Sequence, residues 1–198
     1  MSFISIEGLD GSGGTTLVET LANNYPNAVT TAEPTTREYG QLVRRNLSDE
    51  SSDPLIDFYL FMADRRDHIA DLIVPADNSG KLVISDRYAD STRAYQPIAL
   101  AGEDAPFDSS WEAKMFIEQT MARWNYEPDL TLDIDSFVAS AIERSSHDEK
   151  YEKRQFLEKV KDNYDALADT NERIVRVDGE QSKEDVATEA IDKIEEHV

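Results

Sequence analysis

The chain contains no cysteine, and histidine occurs only three times in its 198 residues. The lack of cysteine excludes disulfides, thiolate metal sites and cysteine nucleophiles. His68, His147 and His197 are too scattered along the sequence to predict a zinc site. No apolar run approaches the roughly 18 residues of a membrane-spanning helix, and no charged leader precedes the first apolar segment. We therefore expect a cytoplasmic protein that does not bind membranes.

Basic residues are also scarce, because 20 Lys and Arg stand against 41 Asp and Glu, a formal net charge of −21. This charge repels nucleic acids and anionic membranes, so neither is expected as a partner. The acidic residues are spread through apolar-patterned segments, and 39% of all residues are hydrophobic, which is typical of a folded protein. The combination resembles proteins of salt-loving organisms, in which molar salt shortens the Debye length to about 3 Å and relieves charge repulsion.

Short apolar runs alternate with segments of helical periodicity. The runs are Phe3 to Ile6, Ala28 to Thr30, Leu82 to Ser85, Leu130 to Ile134 and Ile174 to Val177. The predicted helices are Thr15 to Asn24, Glu38 to Leu47, Pro54 to Ala76, Trp111 to Trp124, Phe137 to Ser145, Lys153 to Ala168 and Lys183 to His197. This alternation predicts one α/β domain, a three-layer α/β/α arrangement around a five-stranded parallel sheet. We interpret the polar segment at about 145–153 as a mobile lid.

A glycine-rich segment follows the first apolar run and reads Glu-Gly-Leu-Asp-Gly-Ser-Gly-Gly-Thr-Thr over residues 7–16. It matches the phosphate-binding pattern G-x-x-x-x-G-K-[ST] except that Gly14 stands in the lysine position. Because it lies at a strand-to-helix turn, its backbone N–H groups and the positive end of the helix are suited to phosphate oxygens. The hydroxyl of Thr15 is suited to Mg²⁺. The sequence thus predicts a P-loop fold that lacks the usual cation.

Two further patterns are compatible with nucleotide binding. Asp86 directly follows the third apolar run, where a carboxylate can hold the Mg²⁺ shell, and Arg87 beside it can bind a phosphate with two hydrogen bonds. A helix-capping aspartate next to a surface arginine is the alternative. Phe61 and Arg65 lie four residues apart on one helix face and can together hold a base, although an aromatic residue at such a position is more often part of the core.

Taken in order, these segments resemble the thymidylate kinase family. The matching segments are Phe3 to Gly13, Glu33-Pro34-Thr35, Leu60 to His68, Asp86 to Gln96 and Glu127 to Leu132, followed by Arg144, Phe156, Val160 and Tyr164. They span nearly the whole chain. The Asp-Arg-Tyr segment ending in Ala-Tyr-Gln and the Glu-Pro-Asp-Leu-Thr segment are far more specific than a phosphate loop. The resemblance implies a kinase that transfers the γ-phosphoryl group of Mg-ATP to dTMP.

The same resemblance implies the acceptor contacts. Asp10 would accept a hydrogen bond from the 3′-hydroxyl, Phe61 would stack on thymine, and Arg65 would bind the base edge. Tyr95 would crowd the 2′ position and disfavour ribonucleotides, and Arg87 would hold the acceptor phosphate. The other acceptor contacts implied are Glu33, Tyr39, Arg44, Ser91, Thr92 and Gln96.

The donor contacts are implied in the same way. The phosphates of ATP would be held by Gly8, Gly11, Ser12, Gly13, Gly14, Thr15 and Thr16. Arg144 would lie against adenine, with Asp178 and Gly179 on the other side of the ring. Asp86 and Glu33 would support Mg²⁺ or its waters, together with Thr15.

Two positions depart from the family pattern. Ala32 stands where many members have an arginine, which removes one acceptor contact. Gly14 removes an ammonium group, and the loss of one such transition-state donor costs about 3 to 4 kcal/mol, or roughly 100- to 1,000-fold in rate. We expect Lys150, Lys153 or Arg154 in the lid to supply the missing charge, or K⁺ from a salty cytosol.

Alternatives stay open at this point. The chain could be a kinase for another deoxypyrimidine monophosphate such as dUMP, or a nucleotide-binding paralogue whose catalysis is impaired by Gly14. The family also implies a homodimer that pairs through helices. The segments Phe58 to Ala70 and Trp111 to Trp124 carry enough apolar residues to form such an interface.

Overall fold

A computed structural model of the chain describes residues 2–49, 51–103, 105–144 and 150–197, and in the range 150–153 it describes the backbone only. Residues 145–149 of the predicted lid lie outside the described residues. The remainder of that segment forms the beginning of a helix.

The five predicted strands form one parallel sheet, so the predicted fold class is confirmed. The strands are β1 (Phe3–Gly8), β2 (Val29–Ala32), β3 (Val83–Asp86), β4 (Leu130–Asp135) and β5 (Ile174–Asp178). Their order in the sheet is β2-β3-β1-β4-β5. The chain moves to one side of β1 for β2 and β3 and to the other side for β4 and β5. The loop that follows β1 therefore lies at the switch point of the sheet, where ligands of such folds bind.

Helices cover both faces of the sheet. They are α1 (Gly14–Asn24), α2 (Glu38–Leu47), α3 (Pro54–His68), α4 (Val74–Asn78), α5 (Ala89–Ala99), α6 (Ser110–Met121), α7 (Val138–Arg144), α8 (Lys150–Thr170) and α9 (Lys183–His197). Leu17, Leu21 and Ile194 from α1 and α9 pack on one face of β1 and β4. Phe3 packs with Ile73 on the opposite face. Among the described residues, no helix is both long and apolar enough to cross a membrane.

Two helical predictions need correction. The helix predicted from Pro54 to Ala76 is interrupted by a π-helical turn at Ile69–Ile73, and α4 then runs on from Val74. Pro75 explains the interruption, because its ring excludes the usual hydrogen bond to the fourth residue before it. The helix α5 (Ala89–Ala99) was not predicted. It contains Pro97 and buries Asp90, Thr92 and Gln96, so it lacks the apolar periodicity by which a helix is recognised.

Candidate active site

The glycine-rich loop forms the base of a cavity at the carboxyl edge of the sheet. Gly11 and Gly13 have φ angles of 90° and 105°, in the left-handed region that favours glycine. Gly13 caps the first turn of α1, so the positive end of that helix faces the loop. The cavity, which we call the phosphate cavity, has a volume of about 710 Å³ and reaches Asp86, Arg87 and Arg144. Its shape and dipoles suit the phosphates of a nucleotide.

Gly14 lies next to the carboxylate of Asp86. Thr15 Oγ1 donates a hydrogen bond of 2.7 Å to Asp86 Oδ2. A Cβ atom added to Gly14 would lie 3.1 Å from Asp86 Oδ1, closer than most contacts of real Cβ atoms. A lysine at position 14 would therefore require Asp86 to move by a few tenths of an ångström. With Asp86 in its present position, glycine is the residue that position 14 accommodates without such a shift.

A second cavity, the acceptor cavity, opens beside the phosphate cavity and has a volume of about 440 Å³. Residues assigned to the acceptor from sequence line it, namely Asp10, Glu33, Phe61, Arg65, Arg87, Ser91, Thr92, Tyr95 and Gln96. Pro34, Leu47, Tyr88, Ala99 and Phe156 complete the lining. Glu33, Pro34 and Arg87 line both cavities. The two cavities therefore meet at these three residues, and Arg87 contributes a cation there.

Arg65 is held in place by buried partners. Only 1% of its side chain is exposed. Its Nε and Nη2 atoms donate to Glu33 Oε2 at 2.9 and 2.8 Å, and Nη2 also donates to Thr92 Oγ1 at 2.8 Å. The other carboxylate oxygen of Glu33 lies 3.0 Å from Nδ1 of His68. Burial opposes the charge of Arg65, but Glu33 stabilises it, so the pKa of the guanidinium is raised above its ordinary value.

Arg87 connects the phosphate loop to the acceptor cavity. It adopts a φ of 67°, unusual for a residue with a side chain, and directly follows β3. Its Nη2 atom donates to Asp10 Oδ1 at 2.7 Å, and Nη1 lies 3.1 Å from Ser91 Oγ and 3.2 Å from the carbonyl of Gly8. The hydroxyl of Tyr95 accepts the backbone N–H of Asp10 at 3.0 Å. Loop, arginine and tyrosine thus form one connected unit.

Glu7 is a buried carboxyl group beneath this unit that the sequence analysis did not identify. Its Oε1 atom accepts the N–H of Tyr88 at 2.8 Å, and Oε2 accepts the hydroxyls of Ser91 and Tyr164. Burial, together with the nearby charge of Asp90, raises the pKa of Glu7 to about 7. A charged residue in an otherwise apolar strand was the available signal, since such a group needs partners when buried.

A third cavity has a volume of about 160 Å³, and we call it the nucleoside slot because residues predicted for the adenine of ATP line it. Of the residues predicted for adenine, Arg144 and Gly179 line it, and Arg144 Nη1 donates to the carbonyl of Gly179 at 3.3 Å. Asp178 is exposed at the end of β5 and accepts the N–H of Glu180 at 3.0 Å. The slot also contains residues that the sequence analysis did not select, namely Leu17, Thr20, Gln181, Lys183 and Val186.

Some of the predicted site residues lie at the edge of the two cavities or outside them. Tyr39 on α2 is 41% exposed and lines neither cavity. Arg44 lines the phosphate cavity and donates to the backbone carbonyls of the loop after β2. Arg154 is exposed on α8, with Nε 2.9 Å from Glu158 Oε1. The backbone of Lys150 and Lys153 lies in the first turn of α8, and their side chains are outside the described part of the chain.

A parallel sheet of this order, with a glycine nest at its switch point and two adjoining cavities, defines a nucleotide-binding protein of the P-loop class. The family model for thymidylate kinase matches residues 6–190. The chain therefore belongs to the thymidylate kinase family, as the sequence analysis predicted.

Curated relatives and solved structures agree with this assignment. A protein of Halorubrum lacusprofundi named probable thymidylate kinase is 42% identical over 92% of each chain. A protein of the same name from Halobacterium salinarum is 42% identical over 94% of this chain and 92% of its own. The crystal structure of thymidylate kinase from Ehrlichia chaffeensis superposes with a TM-score of 0.72, at 28% identity and with 97% of each chain covered.

Proposed function

We propose that this protein transfers the γ-phosphoryl group of ATP to dTMP, which gives dTDP and ADP. The observation that carries this proposal is the junction at Arg87, where the acceptor cavity and the phosphate cavity meet. An acceptor phosphate bound by Arg87 would face the phosphates held by the glycine loop. The family assignment supports the identities of the two substrates.

In the proposed reaction a phosphate oxygen of dTMP attacks the γ-phosphorus in line, and the bond from that phosphorus to the bridging oxygen of ADP breaks. No side chain forms a covalent bond. The protein contributes by positioning both nucleotides and by placing positive charge where the phosphates meet. Phe61 and Arg65 would hold the base, and Asp10 together with Tyr95 would hold the sugar.

Mg²⁺ is the divalent ion we propose, and Thr15 and Asp86 would hold it. Their hydroxyl and carboxylate oxygens are adjacent in the phosphate cavity and are the ligand types that Mg²⁺ prefers. In the described part of the chain, no group of three or more histidine, cysteine or acidic residues could hold a metal by itself. Such an ion would be bound mainly by waters and nucleotide phosphates, and it would supply positive charge next to the phosphate oxygens. Glu33 would act on the acceptor side, because Arg65 and His68 already bind its carboxylate.

A coupled assay with ATP and dTMP in molar KCl tests the proposal, with dUMP assayed in parallel. We expect turnover with dTMP and a lower kcat/KM with dUMP. Preference for dUMP would replace the acceptor assignment by another deoxypyrimidine monophosphate. Absence of turnover with either acceptor, while ATP still binds, would indicate a nucleotide-binding paralogue in place of a kinase.

The charge missing at Gly14 is proposed to come from the lid, through Lys150, Lys153 or Arg154. Replacing the responsible residue with alanine should lower turnover by about 100- to 1,000-fold, with much less effect on nucleotide affinity, because the cation acts on charge that develops in the transition state. Gly14→Lys should then give only a modest gain, limited further by the contact with Asp86. Unchanged turnover in all three alanine variants, with a large gain from Gly14→Lys, would contradict this assignment.

A two-fold homodimer through α3 and α6 is also proposed. The two helices share a buried cluster that includes Phe58 and Ile117. Beside it they expose large apolar side chains, with Trp111 69% exposed and Tyr59 51% exposed. Light scattering in molar KCl should give about twice the chain mass of 22.3 kDa. A mass equal to that of one chain would overturn the dimer.

A further inference from the structure

Cationic side chains line the phosphate cavity, and they are Arg44, Arg87, Arg144 and Lys183. The three arginines are engaged with protein groups. Arg87 donates to Asp10 at 2.7 Å, Arg144 lies 3.8 Å from a carboxylate oxygen of Glu180, and the third donates to two backbone carbonyls. Lys183 differs, since its ammonium group makes no hydrogen bond or ion pair with the residues that the structure describes.

The position of Lys183 is as informative as its lack of partners. It begins α9 and lines both the phosphate cavity and the nucleoside slot. The other residues shared by these two spaces are Ser12, Gly13, Thr16 and Arg144. Ser12 and Gly13 belong to the phosphate loop, and Thr16 lies in the first turn of α1. Lys183 therefore borders the point where a nucleoside in the slot would continue into its phosphates.

Three acidic residues, Glu180, Glu184 and Asp185, lie within three positions of Lys183, and the first and last of them are engaged with other partners. The carboxylate of Glu180 accepts the backbone N–H of Phe137 at 2.9 Å and the hydroxyl of Ser140 at 2.8 Å. Asp185 accepts the hydroxyl of Ser182 at 2.8 Å, as part of the cap of α9. None of these three carboxylates is paired with Lys183 in the described part of the chain, so this ammonium group keeps its charge available to a ligand.

We propose that Lys183 binds the α- and β-phosphates of the donor nucleotide. This inference rests on the proposed function, in which the phosphate cavity holds ATP. An ammonium on a flexible stem acts on phosphates as a point charge and needs no fixed geometry. Because the α- and β-phosphates are bound before the reaction as well as during it, Lys183 should contribute to ATP affinity and not to the chemical step. It is a binding residue, whereas a lid cation would act on the transferring group.

The test compares Lys183→Gln with Lys183→Arg and with the matched control Lys193→Gln. Lys193 lies on the same helix, lines neither space and carries the same charge. Calorimetric titration in molar KCl gives the affinities for ADP and for adenosine. Lys183→Gln should weaken ADP binding by about five- to ten-fold, the usual effect of one hydrogen bond to a charged group after screening by salt. Adenosine binding should not change, Lys183→Arg should restore ADP binding, and Lys193→Gln should have no effect.

Steady-state kinetics with dTMP provide a second measurement. Lys183→Gln should raise KM for ATP by a similar factor and leave kcat and KM for dTMP within about two-fold. Equal losses for ADP and adenosine would overturn the proposal in favour of a contact to the nucleoside. An equal loss of ADP affinity in Lys193→Gln would show that the effect comes from the net charge of the protein, and it would also overturn the proposal. If the wild-type protein binds ADP but does not phosphorylate dTMP, the proposed function fails while the titrations still decide the role of Lys183.

Discussion

The acceptor and donor sides of the site are built in different ways. On the acceptor side, Arg65 is 1% exposed and its guanidinium is bound by Glu33, which is 4% exposed. On the donor side, Arg144 is 43% exposed and lies 3.8 Å from a carboxylate oxygen of Glu180. The phosphate loop itself has Gly14 in place of the usual lysine, so its contribution to phosphate binding would come from backbone N–H groups. The acceptor cavity is thus lined by a buried, hydrogen-bonded network, whereas the proposed donor side offers backbone N–H groups and exposed cations.

This difference is consistent with the chemistry of the two ligands. A base is recognised by shape and by directed hydrogen bonds, which require side chains fixed by their neighbours. Triphosphates are flexible and highly charged, so backbone N–H groups and mobile cations suffice to bind them. Loss of the loop lysine is therefore easier to compensate on the donor side than loss of Arg65 would be on the acceptor side.

The largest expected effect is on folding. Arg65→Ala should lower the free energy of unfolding by about 3 to 5 kcal/mol, because it leaves the carboxylate of Glu33 buried without its main partner. Arg144→Ala, the matched change on the donor side, should alter it by no more than about 0.5 kcal/mol. Urea unfolding in molar KCl measures both. Similar small losses in the two variants would remove the contrast between the sides.

The second effect concerns pH and the carboxyl group of Glu7. Its pKa is raised from 4.5 to about 7, first by burial and then by the charge of Asp90. The folded state therefore holds this proton more tightly than the unfolded state does. The stability that Glu7 contributes is complete below about pH 4.5 and is lost as the pH rises to about 7, a difference of about 3 kcal/mol.

Glu7→Gln should remove that part of the pH dependence, which unfolding curves between pH 4.5 and 8 will show. Glu19→Gln, which deletes an exposed carboxylate on α1, should leave the slope as it is in the wild type. The same slope in Glu7→Gln and wild type would show that the Glu7 carboxyl group ionises normally in the folded protein.

The third effect is on acceptor binding. Phe61→Ala should weaken dTMP binding by about 1 to 3 kcal/mol, through lost stacking and burial, and should spare ATP. Phe107→Ala is the control, because Phe107 packs on the same buried cluster without lining the acceptor cavity. Separate titrations with each nucleotide measure the two affinities. If Phe61→Ala weakens the binding of both nucleotides equally, Phe61 is part of the hydrophobic core and does not contact the base.

The smallest effect on the contrast between the two sides is expected when the salt concentration is varied. With a net charge of −21, the protein should melt at higher temperature as KCl rises from dilute to molar, because repulsion between surface carboxylates is screened. The buried pair of Arg65 and Glu33 is screened much less. The stability difference between wild type and Arg65→Ala should therefore stay nearly constant across this series. A melting temperature that does not respond to KCl would refute the salt-adaptation hypothesis.

Much of the fold and family could be predicted from the sequence, because the signals are local. The apolar runs place the strands within a few residues, and the glycine spacing after β1 places the phosphate loop. The substitution at Gly14 is visible without any structure. Phe61 and Arg65 are recognisable as one face of a helix, since their spacing of four residues determines it. Such patterns depend only on neighbours along the chain.

Tertiary structure alone decided which charged groups meet. Glu7 and Tyr164 are 157 positions apart, and Arg65 and Glu33 are 32 apart. Their pairing follows from how strands and helices pack, so no local pattern predicts it. The same holds for Lys183, which reads as an ordinary surface lysine at the start of a helix until α9 packs beside α1. Sequence determined the strands, most of the helices and the family. Packing determined the burial, the partners and the pKa values of the groups that form the site, because these depend on distances between remote segments.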